Sequence, residues 1–313
     1  MKPVRVVLTG ATGFVGSRTV GELLKHPGVE LRLVGRSMPP GAADDRVRWT
    51  PADLTDPASL RGVCRDADVV VHLASLVSGT TEQCGKVNEE GTAALVREAT
   101  AAGVRHLVHL STSAVYGAGP HAGQDVEDLV PAPVSAASAT RLAGEHHTLR
   151  AGGLVLRAGL VLGAGDRWVV PALARLLASV PFRWAGGDAE LSLVDVSDLA
   201  RLIARTALAP LPPGPQVVHA SHPRPVRVGD LMETLAELKI LPPWPSEART
   251  WDECLEIFAA DPGGLSARQF HLLAQDHWYR SDSIWLRAAC DPGPGPLARL
   301  AEAADWYRGL LAE

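Results

Sequence analysis

TGATGFVG, residues 9–16, is the stretch on which the fold turns. It follows the apolar run Val4 to Leu8, with Val6 and Val7 inside it, and opens into a segment carrying Val15, Val20, Leu23 and Leu24. A β-branched apolar run, a glycine-rich break and an amphipathic period predict a strand, a tight turn and a helix. Gly10 permits the turn, Gly13 lets backbone N–H groups approach a pyrophosphate, and Gly16 lets the helix pack closely on the sheet. The phosphates would sit at the helix N-terminus, where unpaired N–H groups and the dipole favour negative charge. Thr12, Phe14 and Val15 share the loop and first helical turn and are expected beside the same ligand. The spacing is Gly-x-x-Gly-x-x-Gly, and its place directly after the first strand gives the triplet its meaning.

Working outward, Leu31 to Gly35 reads as a second strand and ends in Arg36-Ser37. In dinucleotide folds an acid about 20 residues beyond the glycines accepts from the ribose 2′-OH, whereas an Arg there accommodates a 2′-phosphate. Arg36, with Ser37, therefore favours NADP(H) over NAD(H). Val47 to Trp49 is a third strand, and Asp53-Leu54 follow it between Pro51 and Pro57. Asp53 can accept from an adenine amino group or cap the next helix. The unbroken apolar run Asp68 to Ala74 suits a strand buried on both faces. Ala74 and Ser75 at its end are small enough to let a cofactor pass close, and Leu73 before them is expected at the cofactor too.

A helix is expected over Glu89 to Ala102, ended by Gly103, and His106 to Leu110 is the fifth strand. Ser111, Thr112, Ser113 and Tyr116-Gly117 follow it at once, and the carboxyl end of a parallel strand is where such sheets bind ligands. Leu154 to Arg157 and Gln216 to Ala220 complete the strands, with Pro210 to Pro215 read as a loop within the fold. Asp198 is expected to anchor the helix Leu199 to Leu208. Trp168 and Trp184 flank a helix bearing Leu173, Leu176 and Leu177. Trp244, Trp251, Trp278, Trp285 and Trp306 fill the C-terminal part, as pocket walls for a flat aromatic substrate or as core.

The expected architecture is an α/β, Rossmann-like doubly wound parallel sheet with a smaller, mainly helical C-terminal substrate subdomain. Residues 1–165 would form the NADP(H)-binding core and residues 166–313 a mixed region, of which 190–222 return to the core. With 313 residues, 46% of them hydrophobic, the chain can bury a full core. Its net charge of -5 is spread without long runs, so no nucleic-acid footprint appears. The chain opens directly on a strand and holds no apolar run long enough for a membrane, so a cytoplasmic protein is expected. Cys64, Cys84, Cys254 and Cys290 form no C-x-x-C pair, and the histidines lack ligand spacing, so no metal is expected. The sequence sets no oligomeric state.

Taken in order, TGATGFVG, VGRS, DLTD, HLAS, STSAVYG, LRAGLVLGAG and LVDVSDLA resemble the extended short-chain dehydrogenase/reductase family over roughly residues 1 to 220. The resemblance implies that Thr112, four before Tyr116, hydrogen-bonds the substrate oxygen with Ser113 beside it. It also implies that Ser111 and the stretch Ala158-Gly159-Leu160 lie against the cofactor. The next helix of that family offers Tyr-x-x-x-Lys, with a Glu four residues later. Here it reads Ala137-Ser138-Ala139-Thr140-Arg141, followed by Glu145. Alanine can neither give nor take a proton. Tyr116, Tyr279 and Tyr307 complete no such pair, since Pro120, Ser283 and Leu311 stand four beyond them. Arg141 can still hydrogen-bond the nicotinamide ribose, but its pKa is too high for a proton donor.

The retained nucleotide motifs and the missing tyrosine together predict an NADPH-dependent ketoreductase whose substrate, a polycyclic quinone or phenolic ketone, supplies part of its own acid catalysis. The whole pattern, with AxxxR in place of YxxxK and a tryptophan-rich C-terminal half, resembles angucyclinone ketoreductases, which implies a polycyclic aromatic, angucyclinone-type ketone of antibiotic biosynthesis. A peri hydroxyl on such a substrate can hydrogen-bond the carbonyl internally, with Thr112 or Ser113 orienting it and Tyr116, Trp168 and Trp184 facing it. The competing expectation is a catalytically degenerate NADP(H)-binding sensor or interaction protein. Epimerisation or dehydration of a nucleotide sugar is disfavoured because both need the tyrosine as base.

Overall fold

A computed structural model describes residues 2–38, 44–104, 106–209, 214 and 216–312, so the loop Pro210 to Pro215 falls outside the described residues except for Gly214. In chain order the strands are β1 (Val4–Thr9), β2 (Val29–Gly35), β3 (Val47–Pro51), β4 (Val69–His72), β5 (His106–Thr112) and β6 (His121–Gln124). They continue with β7 (Leu154–Ala158), β8 (Leu160–Leu162), β9 (Arg183–Trp184), β10 (Glu190–Leu191), β11 (Leu193–Asp195) and β12 (Gln216–His219). Seven of them form one parallel sheet in the order β12-β7-β5-β4-β1-β2-β3. The strand order reverses between β1 and β4, the switch point at which doubly wound sheets bind ligands.

Period-2 geometry splits each apolar run between two cores. Val6, Leu8, Val69 and Val71 join a cluster with Leu23 of α1 (Phe14–Leu24) and with Leu199, Leu202 and Ile203 of the later helix Val196–Leu208. Val7, Val34 and Val70 point the other way, into a cluster with Leu60, Leu95 and Val96. Because both faces are covered, β4 is buried along its whole length. A third apolar cluster runs from Leu162 to Tyr307 and belongs to the C-terminal part of the chain. All four cysteines are free and buried, and burial pushes the Cys64 thiol up to about 12.

The helix expected from Glu89 starts earlier. Thr80 and Gln83 form a reciprocal capping box that opens α2 (Thr81–Cys84), a π-helical stretch Gly85–Gly91 follows, and α3 is Thr92–Ala101. Inside the π stretch, Asn88 accepts from Leu76 N–H at 2.7 Å and donates to Leu76 O at 2.9 Å and to Thr140 Oγ1 at 3.0 Å. It thereby fixes the loop after β4 against α4 (Ala136–Arg150). After α5 (Val169–Ser179) comes α6 (Val196–Leu208), which is capped by Asp195, not by Asp198 as expected. Asp195 has the extended backbone an N-cap needs, and its Oδ1 accepts from Ser197 N–H at 2.8 Å. Asp198, one turn later, instead binds Arg201 at 2.8 Å and Arg299 at 3.0 Å, fastening α6 to the C-terminal helix Pro296–Ala312.

Candidate active site

A cleft of about 580 Å³ lies at the carboxyl ends of β1, β2 and β4. Gly10, Thr12, Gly13, Arg36, Ser37, Asp53, Leu54, Leu73, Ala74 and Ser75 line it, ten of the residues expected at a cofactor. Gly10 has φ +79°, and a side chain there would meet Ala74 N at 2.7 Å; one on Gly16 would meet Gly10 O at 2.0 Å. Only glycine allows that approach of helix to turn. The N-terminus of α1 carries no capping side chain and no acid in its first turn, which leaves its N–H groups for an anion. The side chains of Phe14 and Val15 do not line the cleft, so what they offer there is their backbone N–H groups. Phe14 sits against Gly165, where an added Cβ would meet its ring at 2.7 Å, and Val15 packs on the core.

Asp53 lines the cleft, and its Oδ1 accepts from Thr55 N–H and Oγ1 at 2.9 Å each within a turn; it caps no helix, because the next one, α2, opens at Thr80. The Thr55 backbone bond lowers its pKa, and the charge of Arg36 adds to that. Ser78, Gln83, Lys86 and Val87 also line the cleft and were not anticipated. The Thr80-x-x-Gln83 spacing is the signal that would have placed a helix there. His72 holds the floor. Thr92 donates to Asn88 O at 2.6 Å, so its oxygen accepts from His72 Nε2–H at 2.9 Å, and Nδ1 accepts from Thr9 Oγ1 at 2.7 Å. Burial, reinforced by Arg141, lowers the imidazole to about 4.

At the end of β5 the hydroxyls divide. Ser111 is 1% exposed and donates to Glu145, so its side chain is not offered to a cofactor as expected. Glu145 pairs with Arg157 at 2.6 Å, and Arg157 Nη1 donates to the Tyr116 oxygen at 2.8 Å. Tyr116 O–H in turn donates to His219 Nε2 at 2.8 Å, and His219 Nδ1–H donates to Arg280 O at 3.0 Å. Tyr116 is therefore a buried link in this chain, which corrects its expected place at the substrate. Burial lowers His219 to about 4, helped by the Arg157 charge. Thr112 differs: its oxygen accepts from Ala114 N–H at 3.2 Å, and its hydroxyl proton is left to donate. Ser113 follows, largely buried.

Ala137 is half-buried in the first turn of α4. One turn on, Arg141 Nη2 donates to Leu110 O at 3.2 Å while its buried Nε has no partner. Burial lowers this guanidinium to about 10, partly offset by Glu145, so it remains a cation at neutral pH. Ala158 is buried at the end of β7. The N–H of Gly159 donates to Ser221 Oγ at 3.0 Å, and Leu160 opens β8 half-buried. Trp184, expected at the substrate, is 1% exposed and donates to Val180 O at 2.9 Å, with Trp244 and Phe270 against its ring. Its large apolar surface is spent on the C-terminal core. Trp168 is half-buried just ahead of α5, its N–H on Asp166 Oδ1 at 2.7 Å.

These features fit a dinucleotide. The open N-terminus of α1 suits the pyrophosphate, Asp53 and Leu54 the adenine end, and the unpartnered Nε of Arg141 a ribose hydroxyl. Among the described residues no three His, Cys, Asp or Glu side chains are placed to hold a metal ion, and no helix is long and apolar enough to cross a membrane.

Comparison with known proteins agrees. A UDP-glucose 4-epimerase of Mycolicibacterium smegmatis is 34% identical over 45% of this chain and 49% of its own length. A 4-hydroxy-2-methyl-3-oxo-4-farnesyl-3,4-dihydroquinoline-1-oxide ketoreductase of Stigmatella aurantiaca is 27% identical over 60% of each chain. The chain thus spans about half of the length of these curated relatives. Among solved structures, MoeE5 in complex with UDP-glucose and NAD superposes with a TM-score of 0.73 at 24% identity, covering 98% of this chain and 99% of that one. Residues 6–217 match the NAD dependent epimerase/dehydratase family, and with the glycine turn, the seven-stranded parallel sheet and the nucleotide cleft in place, the chain belongs to that family.

Proposed function

We propose that this chain is an NADPH-dependent ketoreductase acting on a polycyclic aromatic, angucyclinone-type ketone, with part of the acid catalysis supplied by the substrate. One observation carries the reading. The residues expected at a nucleotide line one cleft, Arg141 keeps a buried Nε without a partner and Thr112 a hydroxyl proton at the end of β5, while alanine stands at position 137. The sequence pattern resembles the angucyclinone ketoreductase of simocyclinone biosynthesis, which supports the substrate class. The relative from Stigmatella aurantiaca, by its name a ketoreductase of a dihydroquinoline, supports carbonyl reduction on a ring system.

Bound NADPH would supply the hydride. The chain's own residues do the rest: Arg36 and Ser37 meet the 2′-phosphate, Arg141 a ribose hydroxyl, and Thr112, with its proton unspent, donates to the ketone oxygen. A positioned general acid contributes about 10²- to 10⁴-fold, and a peri hydroxyl bonded to the same oxygen stands in for it. Trp168, half-buried near the third core, offers its ring to the aromatic face.

The test is oxidation of NADPH, followed by its absorbance, with tetracyclic aromatic ketones that carry or lack a peri hydroxyl. Turnover confined to the hydroxylated ketones is expected. Equal rates without the hydroxyl overturn substrate assistance. No turnover with any ketone, together with tight NADPH binding, overturns the enzyme reading in favour of a nucleotide sensor.

A further inference from the structure

Trp49 stands on β3, the edge strand of the sheet, opposite Leu33 of β2 and two residues before β3 ends at Pro51. Leu33 and Val47, on the same face, pack into the core beside α1, but Trp49 joins none of the apolar clusters. Among the described residues, which include all eight tryptophans, it is the one left exposed, at 37%. Trp184, Trp244, Trp285 and Trp306 each give their indole N–H to a backbone carbonyl, and among the described residues no acceptor meets that of Trp49. What it does adjoin is the nucleotide cleft, whose wall it shares with Arg36, Ser37, Asp53 and Leu54.

We propose that Trp49 is the stacking platform for the adenine ring of the bound dinucleotide. The strand order carries the assignment. Thr112 and the Leu110 carbonyl that holds Arg141 belong to β5, on one side of β1, and with the pyrophosphate at the N-terminus of α1 this leaves β2 and β3, on the other side, to the adenosine half. A base offers a flat π face that an indole covers without hydrogen bonds, and an indole kept out of the core loses its exposed surface when such a ring settles on it. Trp49 then holds the base by its face and Asp53 by its amino edge. This inference rests on reading the cleft as a dinucleotide site; it depends neither on the choice of NADP(H) over NAD(H) nor on the ketoreductase reading.

The probe is adenosine 2′,5′-bisphosphate, which carries the adenosine half of NADP without the nicotinamide. Trp49→Ala should raise its Kd and that for NADP+ by the same factor, about 5- to 100-fold, as one base stacked on an aromatic ring is worth. Trp49→Phe keeps a ring and should stay within about threefold of the parent. The hypoxanthine analogue of NADP, which lacks the amino group but keeps the flat base, should lose by the same factor as NADP+ in Trp49→Ala. In the parent the bisphosphate should quench part of the tryptophan emission, and in Trp49→Phe that part should be gone. A bisphosphate Kd in Trp49→Ala within about twofold of the parent, or a quench that survives in Trp49→Phe, overturns the proposal. A loss for NADP+ with none for the bisphosphate also overturns it and gives Trp49 to the nicotinamide half. If Trp49→Ala fails to fold, the quench in the parent and in Trp49→Phe decides alone. If the parent binds NAD+ and not NADP+, the 2′-phosphate role of Arg36 fails separately, and the same comparison with NAD+ and AMP decides. A parent that binds no dinucleotide overturns the cleft reading and this proposal together.

Discussion

Two arginines, one buried and one half-buried, mark two regions that the fold treats in opposite ways. Arg157, with 6% of its side chain exposed, faces the fully buried Glu145 at 2.6 Å and spends a further hydrogen bond on Tyr116. Burial alone would lower its pKa, but the hydrogen bond and charge of Glu145 outweigh burial and raise it. Arg141 has one carbonyl and an unpartnered Nε, and burial prevails. A buried charge with its counter-ion holds protein to protein; one left unmatched is available to a ligand. Each arginine also has a histidine in its field, His219 beside Arg157 and His72 beside Arg141.

The contrast breaks most sharply at Glu145. Glu145→Gln strands the Arg157 charge and should cost about 3–5 kcal/mol in urea unfolding; a loss under about 1 kcal/mol would erase the distinction between the two sites. Acid comes next. His72 and His219 have folded pKa values near 4, below the ordinary 6.5, so the unfolded chain takes up protons first as pH falls. Their stabilisation is present above pH 6.5 and lost toward pH 4, about 3 kcal/mol for each group. Melting scans across that window should show the decline, and His72→Gln should flatten it.

Arg141→Met sharpens the comparison from the other side. It should raise the Kd for NADPH about 10- to 100-fold, as expected for a charged hydrogen bond, with the melting temperature unchanged or higher. A large fall in stability without a change in Kd would make Arg141 a second Arg157. Arg36→Glu should raise the KM for NADPH about tenfold and leave that for NADH within twofold; equal effects refute the phosphate role. The smallest effect belongs to Ala137→Tyr, whose turnover should stay within about twofold of the parent, because a site shaped for a substrate that fills that space, and that supplies its own acid, gains little from a phenol.

The strands were legible wherever an apolar run met a period or a breaker, as at Val4 to Leu8 or His106 to Leu110, because backbone geometry and burial act locally there. The cleft was legible for the same reason: glycines and Arg36 lie within a few residues of strand ends. Asp195 and Asp198 were exchanged because both can cap a helix, and only the extended backbone at 195 chooses between them. Trp184 and Tyr116 were misplaced because an aromatic residue suits a pocket or a core equally, and the choice is made by neighbours such as Phe270 and Arg157 that are distant in sequence.

By itself the sequence determined the parallel sheet, the phosphate turn and the absence of a tyrosine at position 137, each readable from residue type and spacing because each is a local constraint. Only the tertiary structure decided which buried groups are paired and which hydroxyl keeps its proton. Those are questions of hydrogen bonding and desolvation between segments far apart in the chain, and no local pattern encodes their answer.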